Sequence, residues 1–439
     1  MYRTPRWAGI RIPCSCPPRE EHRILLYYRA GAGVVFSPED RNGTVTACRR
    51  YARTSCAGAS LGNKGKAGNI MENEIKVSVI MPIYNAYDYL SPALDSVLYQ
   101  TLRDIEIICV DDGSTDHSLD IIKKYQKEDD RIRIVTENNA GPSVARNNGI
   151  RRARGEYLAF LDADDFFEPT LLETMYNAAV RWQLDVTVSD YDLYQNKLAR
   201  FTRSIPSERA DALIPGEVTS RSDIPEAIFQ CTDGYVWNKL FRRGFLEEKG
   251  LLFPTEARIF EDSYFVATAL AQAERIGRTE GIHLHHRVYS EQGRSRLFRK
   301  YYHQVPGIYA DLRDYLMHNG MYLPLEKSYL NLVASRCFKL YNLLWIDAKI
   351  AYWNLLHEKY ADALGWTEST PALITDREVS EFVANTEMFT YAQYLKREAR
   401  GIKIKLADFA RSRRGALKRK KFRDFFTNIF RKKDKGPKA

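Results

Sequence analysis

From Val77 onward the chain alternates between short apolar runs and stretches whose apolar residues recur every three or four positions. The runs, beginning with Val77-Ser-Val-Ile-Met81, predict strands near 77–82, 105–110, 131–136 and 157–161. The longer-period stretches predict helices near 88–99, 116–128, 143–153 and 169–181. Such alternation implies an α/β domain whose sheet is mostly parallel, with right-handed crossovers. Ligands of such sheets bind beyond the carboxyl ends of the strands. Residues 300–400 read as helices with Tyr, Leu and Trp on apolar faces. The most apolar part, Leu332 to Leu356, is interrupted by Arg336, Lys339, Asp347 and Lys349, so it predicts an amphipathic helix pair and not a membrane span. Residues 1–70 show neither period. They read as a disordered or mis-assigned extension, with Met71 as a candidate natural start.

Composition refines this picture. With 28% charged and 44% hydrophobic residues, the 439-residue chain is neither a disordered polymer nor a disulfide scaffold. Its net charge of +10 is unevenly spread. Residues 1–70 hold 12 Lys/Arg against four Asp/Glu, and residues 401–439 hold 15 against three, leaving 39 against 49 between them. The body is therefore acidic and the ends basic. Seven cysteines without paired spacing suit a reducing compartment. In the tail, Arg411-Ser-Arg-Arg414, Lys418-Arg-Lys-Lys421 and Arg431-Lys-Lys433 interleave with Phe422, Phe425, Phe426, Ile429 and Phe430. That pattern suits an anionic membrane surface. Nucleic acid would use the same charges but is the lesser reading, as is a solvated tail.

The residues after each strand carry the chemistry. After the first comes Pro82-Ile-Tyr84-Asn85, where proline stops the strand and Asn85 can turn the chain or cap a helix. After the second comes Asp111-Asp112-Gly-Ser114-Thr115-Asp116, in which Ser114 or Thr115 can cap the next helix and Asp116 favours its first turn. Asp111 and Asp112 stay unexplained, because adjacent carboxylates repel unless a cation or hydrogen-bond donors meet them. Past the third strand, Gly141-Pro142 opens a helix carrying Arg146, which could meet a phosphate or carboxylate or simply face solvent. The fourth strand ends in Asp162-Ala-Asp164-Asp165. Three carboxylates there should push at least one pKa upward, and a hard divalent cation would relieve them. A capping cluster before Pro169 is the bland alternative.

Taken together, four segments resemble the family-two glycosyltransferases, inverting enzymes of the GT-A (Rossmann-like) fold. They are Val77 to Asn85, Val110 to Asp116, Asn138-Asn-Ala-Gly-Pro-Ser-Val-Ala-Arg-Asn-Asn-Gly149 and Leu161-Asp-Ala-Asp-Asp165. The likeness continues through Val236-Trp-Asn-Lys-Leu-Phe241 and Phe260-Glu-Asp-Ser-Tyr-Phe265 to about Ser295. It implies a glycosyltransferase domain over 71–298, beyond which the residues themselves read as a helical region over 299–400 and a basic amphipathic tail over 401–439. It further implies a nucleotide-sugar donor, most often a UDP-sugar, and a glycan or lipid-linked acceptor of the cell envelope. The expected place is the cytoplasm, peripheral at the inner face of the membrane.

Residue by residue, the resemblance assigns Pro82, Tyr84, Asn85, Asp111 and Asp112 to the nucleoside. Arg146 and Asp162 would sit near the nucleotide, and Asp164 with Asp162 would hold Mg²⁺ or Mn²⁺, Asp165 being a further carboxylate. Asp262, beside Glu261, would be the catalytic base, although both could merely favour the start of a helix over 261–273. Trp237, Asn238 and Lys239 would shape the acceptor side, with Trp237 available for stacking on a sugar. His283, His285 and His286 read as packing residues before metal ligands. A nucleotidyltransferase, releasing pyrophosphate, and a catalytically degenerate nucleotide- or nucleic-acid-binding protein are the alternatives.

Overall fold

The computed structural model describes residues 8–11, 25–28, 74–203, 207–288 and 292–400. The expectations for the tail 401–439, and nearly all of those for 1–70, lie outside the described residues. The chain divides into two units. In the first, residues 1–74 with 196–200, strands Ala8–Arg11 and Leu25–Tyr28 pair antiparallel. The second, residues 75–195 with 201–439, carries everything below.

Strands β1 (Val77–Ile83), β2 (Ile105–Asp111), β3 (Ile132–Thr136) and β4 (Tyr157–Phe160) fall within two residues of the expected limits. They are parallel in the order β3-β2-β1-β4. The order reverses beside β1, so the crevice at the carboxyl ends of β1 and β4 is a topological switch point. Along β1, Val77, Val79, Met81 and Ile83 join the core beneath helix α1 (Tyr87–Leu98). That helix buries Leu90, Ala93, Leu94 and Val97, the spacing of a single helical stripe. Ile80 points to the opposite face, where helix α3 (Pro142–Ile150) crosses so closely that a Cβ on Gly149 would lie 2.4 Å from Ile80 Cγ2. Helices α2 (Ser118–Glu128) and α4 (Leu171–Trp182) complete the expected set.

Beyond β4 the sheet departs from simple alternation. Strand β5 (Val186–Gln195) is separated from β4 by β6 (Lys239–Arg242), which runs antiparallel to both. After helices α5 (Arg243–Glu248) and α6 (Glu261–Gln272), strand β7 (Ile276–Val288) lies parallel to β5. A register shift between Ile282 and Leu284 kinks β7 as it passes the short strand Phe166–Phe167.

The C-terminal region is helical: α7 (Gln292–Tyr301), α8 (Val305–His318), α9 (Tyr322–Leu343), α10 (Ile346–Leu355) and α11 (Arg377–Met388). The expected helix pair is α9 and α10, joined at Leu344–Trp345. These helices share one core with α6 through Phe265, Tyr309, Tyr329, Trp353 and Trp366. Among the described residues no helix is long and apolar enough to cross a membrane. Cys109, Cys231 and Cys337 are buried and unpaired.

Candidate active site

At the end of β1, Asn85 adopts the left-handed conformation (φ 49°), which an Asn tolerates better than most residues. Its Oδ1 accepts from Thr115 N (2.8 Å) and Thr115 Oγ1 (3.2 Å), while Ser114 Oγ accepts from Asn85 N (3.1 Å). Asp116 accepts from Tyr87 N and Ser118 N. Ser114 and Thr115, expected to cap α2, thus stitch the β1 and β2 loops together instead, while Asp116 bonds both the β1 loop and the first residue of α2, which starts two residues later than predicted. Gly113 makes the turn possible: its φ is 70°, and a Cβ there would lie 2.9 Å from Asn139 N.

The two adjacent carboxylates are met by backbone donors. Asp111 Oδ1 accepts from Ser114 N (3.3 Å), and Asp112 accepts from Ala140 N (2.7 Å) and Gly141 N (2.9 Å), tying the β2 loop to the β3 loop. Pro82 is half-buried, paired with Val110 in the sheet, and Tyr84 beyond it is 51% exposed. These residues therefore line the carboxyl ends of β1 and β2 as an exposed shelf on a buried frame.

Arg146 is not a surface cation. It is 4% exposed and its guanidinium meets three carboxylates: Asp162 at 2.9 Å, Asp262 at 2.8 Å and Glu261 at 3.1 Å. Residues after β4 and at the start of α6, a hundred positions apart, thereby converge on one charge. Burial works against that charge, but the three acids outweigh it and raise the Arg146 pKa. One cation cannot neutralise three anions. Burial, reinforced by repulsion from Glu261 and Asp162 and opposed by Arg146, pushes Asp262 up to about 8. Asp262 bonds Arg146 through Oδ1, and among the described residues its Oδ2 has no partner. Phe260, immediately before the pair, is held at φ 63°, a costly conformation for an aromatic residue and one that clusters at functional sites.

Carboxylate oxygens of Asp162, Asp164 and Asp165 lie within 4.8 Å of one another, an arrangement able to hold a metal ion. Asp165 is fully buried; it accepts from His286 Nδ1 (2.8 Å) and Arg287 N (2.7 Å), and burial raises its pKa, the shift expected of this cluster. Arg287 Nε donates to the Asp164 carbonyl (2.7 Å), and its guanidinium lies over Phe166, Tyr89 and Tyr194. His285 sits between Asp192 (2.5 Å) and Glu168 (2.8 Å). Burial lowers its pKa, but those two acids outweigh burial and bring it to about 9. With both ring nitrogens taken, His285 has none for a metal, and His283 is half-buried, its Nε2 3.1 Å from Glu280 O and its Nδ1 3.4 Å from Thr170 Oγ1. The histidines do pack, His286 against Trp237, but their carboxylate partners escaped the sequence. The run His285-His286-Arg287 beside a strand end rich in Asp is the one local hint.

The structure buries the three residues expected on the acceptor side. Trp237 is 3% exposed, stacked on Tyr235 (4.7 Å) and His286 (4.9 Å), so no ring face remains for a sugar. Asn238 Nδ2 donates inward to Ser189 O. Lys239 Nζ donates to Asp233 O, Tyr235 O and Asn238 Oδ1, and burial lowers its pKa to about 7. All three lie in the interior where the chain enters β6; the less buried aromatic on this segment is Tyr235.

Comparison with known proteins decides the family. The sequence profile described as Glycosyl transferase family 2 matches residues 78–249. EpsJ of Bacillus subtilis (strain 168) is 36% identical over 214 residues, 48% of this chain and 60% of EpsJ. EpsH of the same strain is 30% identical over 247 residues, 56% of this chain and 70% of EpsH. The chain belongs to glycosyl transferase family 2. Among solved structures, TarS 1–349 of S. aureus in complex with UDP-GlcNAc superposes with a TM-score of 0.58 at 21% identity, over 74% of this chain and 92% of that one. The α/β GT-A fold with a helical C-terminal region is thereby shared. The chain spans less than two thirds of EpsJ, and the family profile ends before Glu261 and Asp262.

Proposed function

We propose that the chain is an inverting glycosyltransferase that moves a sugar from a nucleoside-diphosphate sugar to a hydroxyl of a glycan or lipid-linked acceptor. One observation carries the reading: the guanidinium of Arg146 holds Asp262 at 2.8 Å and Asp162 at 2.9 Å, which puts a carboxylate of raised pKa next to the Asp162–Asp164 pair. Asp262 is the base. Its free Oδ2 takes the proton of the acceptor hydroxyl as that oxygen forms its bond to the anomeric carbon from the face opposite the leaving group. The bond from that carbon to the diphosphate breaks, and its electron pair leaves with the nucleoside diphosphate. Tyr84 and Asn85, with the shelf built on Pro82, Asp111 and Asp112, hold the nucleoside. TarS, which was crystallised with UDP-GlcNAc, supports a UDP-sugar as donor.

The all-carboxylate set of Asp162, Asp164 and Asp165 fits a hard cation, Mg²⁺ or Mn²⁺. Bound there, such an ion supplies charge stabilisation to the departing diphosphate. Asp162 keeps its orientation through Arg146, and Asp165 through His286 and Arg287 N.

The test incubates the protein with a panel of UDP-, GDP- and dTDP-sugars, Mn²⁺ and a bacterial glycolipid extract, and measures nucleoside diphosphate. Release should require Mn²⁺ and fall in Asp262→Asn and Asp164→Asn. Pyrophosphate as the product, or release untouched by Asp262→Asn, would sink the reading.

A further inference from the structure

Helix α10 is apolar on two sides but covered on only one. Tyr352, Trp353 and Leu356 enter the core. Ile346 and Ile350, one turn apart on another side, are 59% and 36% exposed. In the turn leading into the helix, Leu343 and Trp345 are 53% and 65% exposed. A helix with apolar residues all round is normally enclosed. Single exposed apolar residues need no explanation, but four large ones within eight positions form a patch that marks an interaction site.

The charges around this patch are mostly basic. The Arg299 guanidinium lies 4.1 Å from the centre of the Trp345 ring, Lys300 is exposed beside Tyr301, and Lys349 lies over Tyr341. Residues 292–304, which include α7, contain four basic residues and no acidic one. From Leu343 to Leu355 the only acid is Asp347.

We propose that the α9–α10 turn, with the neighbouring end of α7, docks on an anionic lipid bilayer. Trp345, Ile346, Leu343 and Ile350 enter the boundary between headgroups and acyl chains, a depth that suits tryptophan. Arg299, Lys300 and Lys349 stay at the level of the anionic headgroups. A second copy of the chain is the poorer occupant, since a two-fold contact would set each of these cations against its own kind. The basic tail carries the same sign, so it cannot neutralise the patch but is drawn to the same surface. The proposal is independent of the catalytic reading, because binding is measured without donor or acceptor.

The experiment uses the full chain and sedimentation with vesicles of phosphatidylcholine alone or with 30% phosphatidylglycerol. Binding should need the anionic lipid, weaken with salt, and fall roughly tenfold or more in Trp345→Ser/Ile346→Ser, as removal of two inserted apolar side chains implies. Brominated acyl chains should quench the Trp345 share of the fluorescence, read as the difference between wild type and Trp345→Phe, in vesicles that contain phosphatidylglycerol and not in those that lack it. Equal binding and equal bromolipid quenching in wild type and variants would overturn the proposal, because the tail would then account for all attachment. So would a wild-type dimer that becomes monomeric in the double variant, since a second copy would then cover the patch. An unchanged melting temperature in the double variant guards against loss by unfolding.

Discussion

Replacing Arg146 with Met keeps a long side chain over the Phe253 ring, 5.3 Å from the present guanidinium, and removes the charge with its three hydrogen bonds to carboxylates. Asp162, Glu261 and Asp262 then face one another without a counter-ion. None of the four side chains is as much as a third exposed, so solvent screens the loss poorly. Breaking a buried ion pair by removing one partner costs about 3–5 kcal/mol. The cost should reach this level near pH 9, where Asp262, its pKa raised to about 8, is ionised. At pH 6 Asp262 is protonated and Arg146 has one anion fewer to balance, so the gap should shrink. Urea unfolding of wild type and Arg146→Met at pH 6 and pH 9 measures both gaps. Equal gaps at the two pH values, or none at pH 9, would refute the idea that Arg146 balances the cluster.

Four further outcomes follow from the geometry. As a base, Asp262 works only when ionised; with its pKa raised to about 8, kcat/KM should climb with pH through that value and level off above it. A profile already flat at pH 6 would remove Asp262 from that role. The same raised pKa means that protonated Asp262 favours the folded state, a contribution lost progressively as pH rises from the ordinary carboxylate value of 3.8 to about 8, so Asp262→Asn should gain thermal stability relative to the wild type across that window; a constant difference would contradict the shift. His285, held between Asp192 and Glu168, should keep both ring protons up to about pH 9, visible in its imidazole nitrogen shifts; a neutral ring at pH 7.5 would contradict the pairing. Gly149→Ala would force a methyl to 2.4 Å from Ile80 Cγ2 and should cost roughly 1–3 kcal/mol, seen as a lower melting temperature; an unchanged one would mean that α3 does not cross β1 so closely.

Much of this architecture was legible in the sequence because it is local. Strands β1 to β4 announce themselves as apolar runs, and each ends at a turn residue or a carboxylate within two positions of its predicted limit. The topology rule then turns those ends into one crevice without any knowledge of contacts. Strand β6 was not legible. Four residues carry too little periodicity to signal a strand, and its antiparallel place between β4 and β5 depends on the long excursion through residues 196–238.

The part that decides the chemistry was the least visible, because it is made by charges brought together across the fold. Arg146 on α3 looked exposed by its neighbours in sequence, since Asn147, Asn148 and Arg151 are polar. Its burial is set by Phe253 and by the start of α6, more than a hundred residues on. Trp237 failed in the opposite sense. An aromatic beside Asn and Lys reads as a binding surface, yet the chain entering β6 is buried, so the ring packs against His286 and the ammonium of Lys239 satisfies three acceptors. A charged residue in a sequence declares the chemistry it can perform, whereas whether it faces substrate or frame depends on the strand order that buries it. Glu261-Asp262 illustrates both sides: as a helix start the pair is ordinary, and only the shared guanidinium of Arg146 makes one of its carboxylates a candidate base.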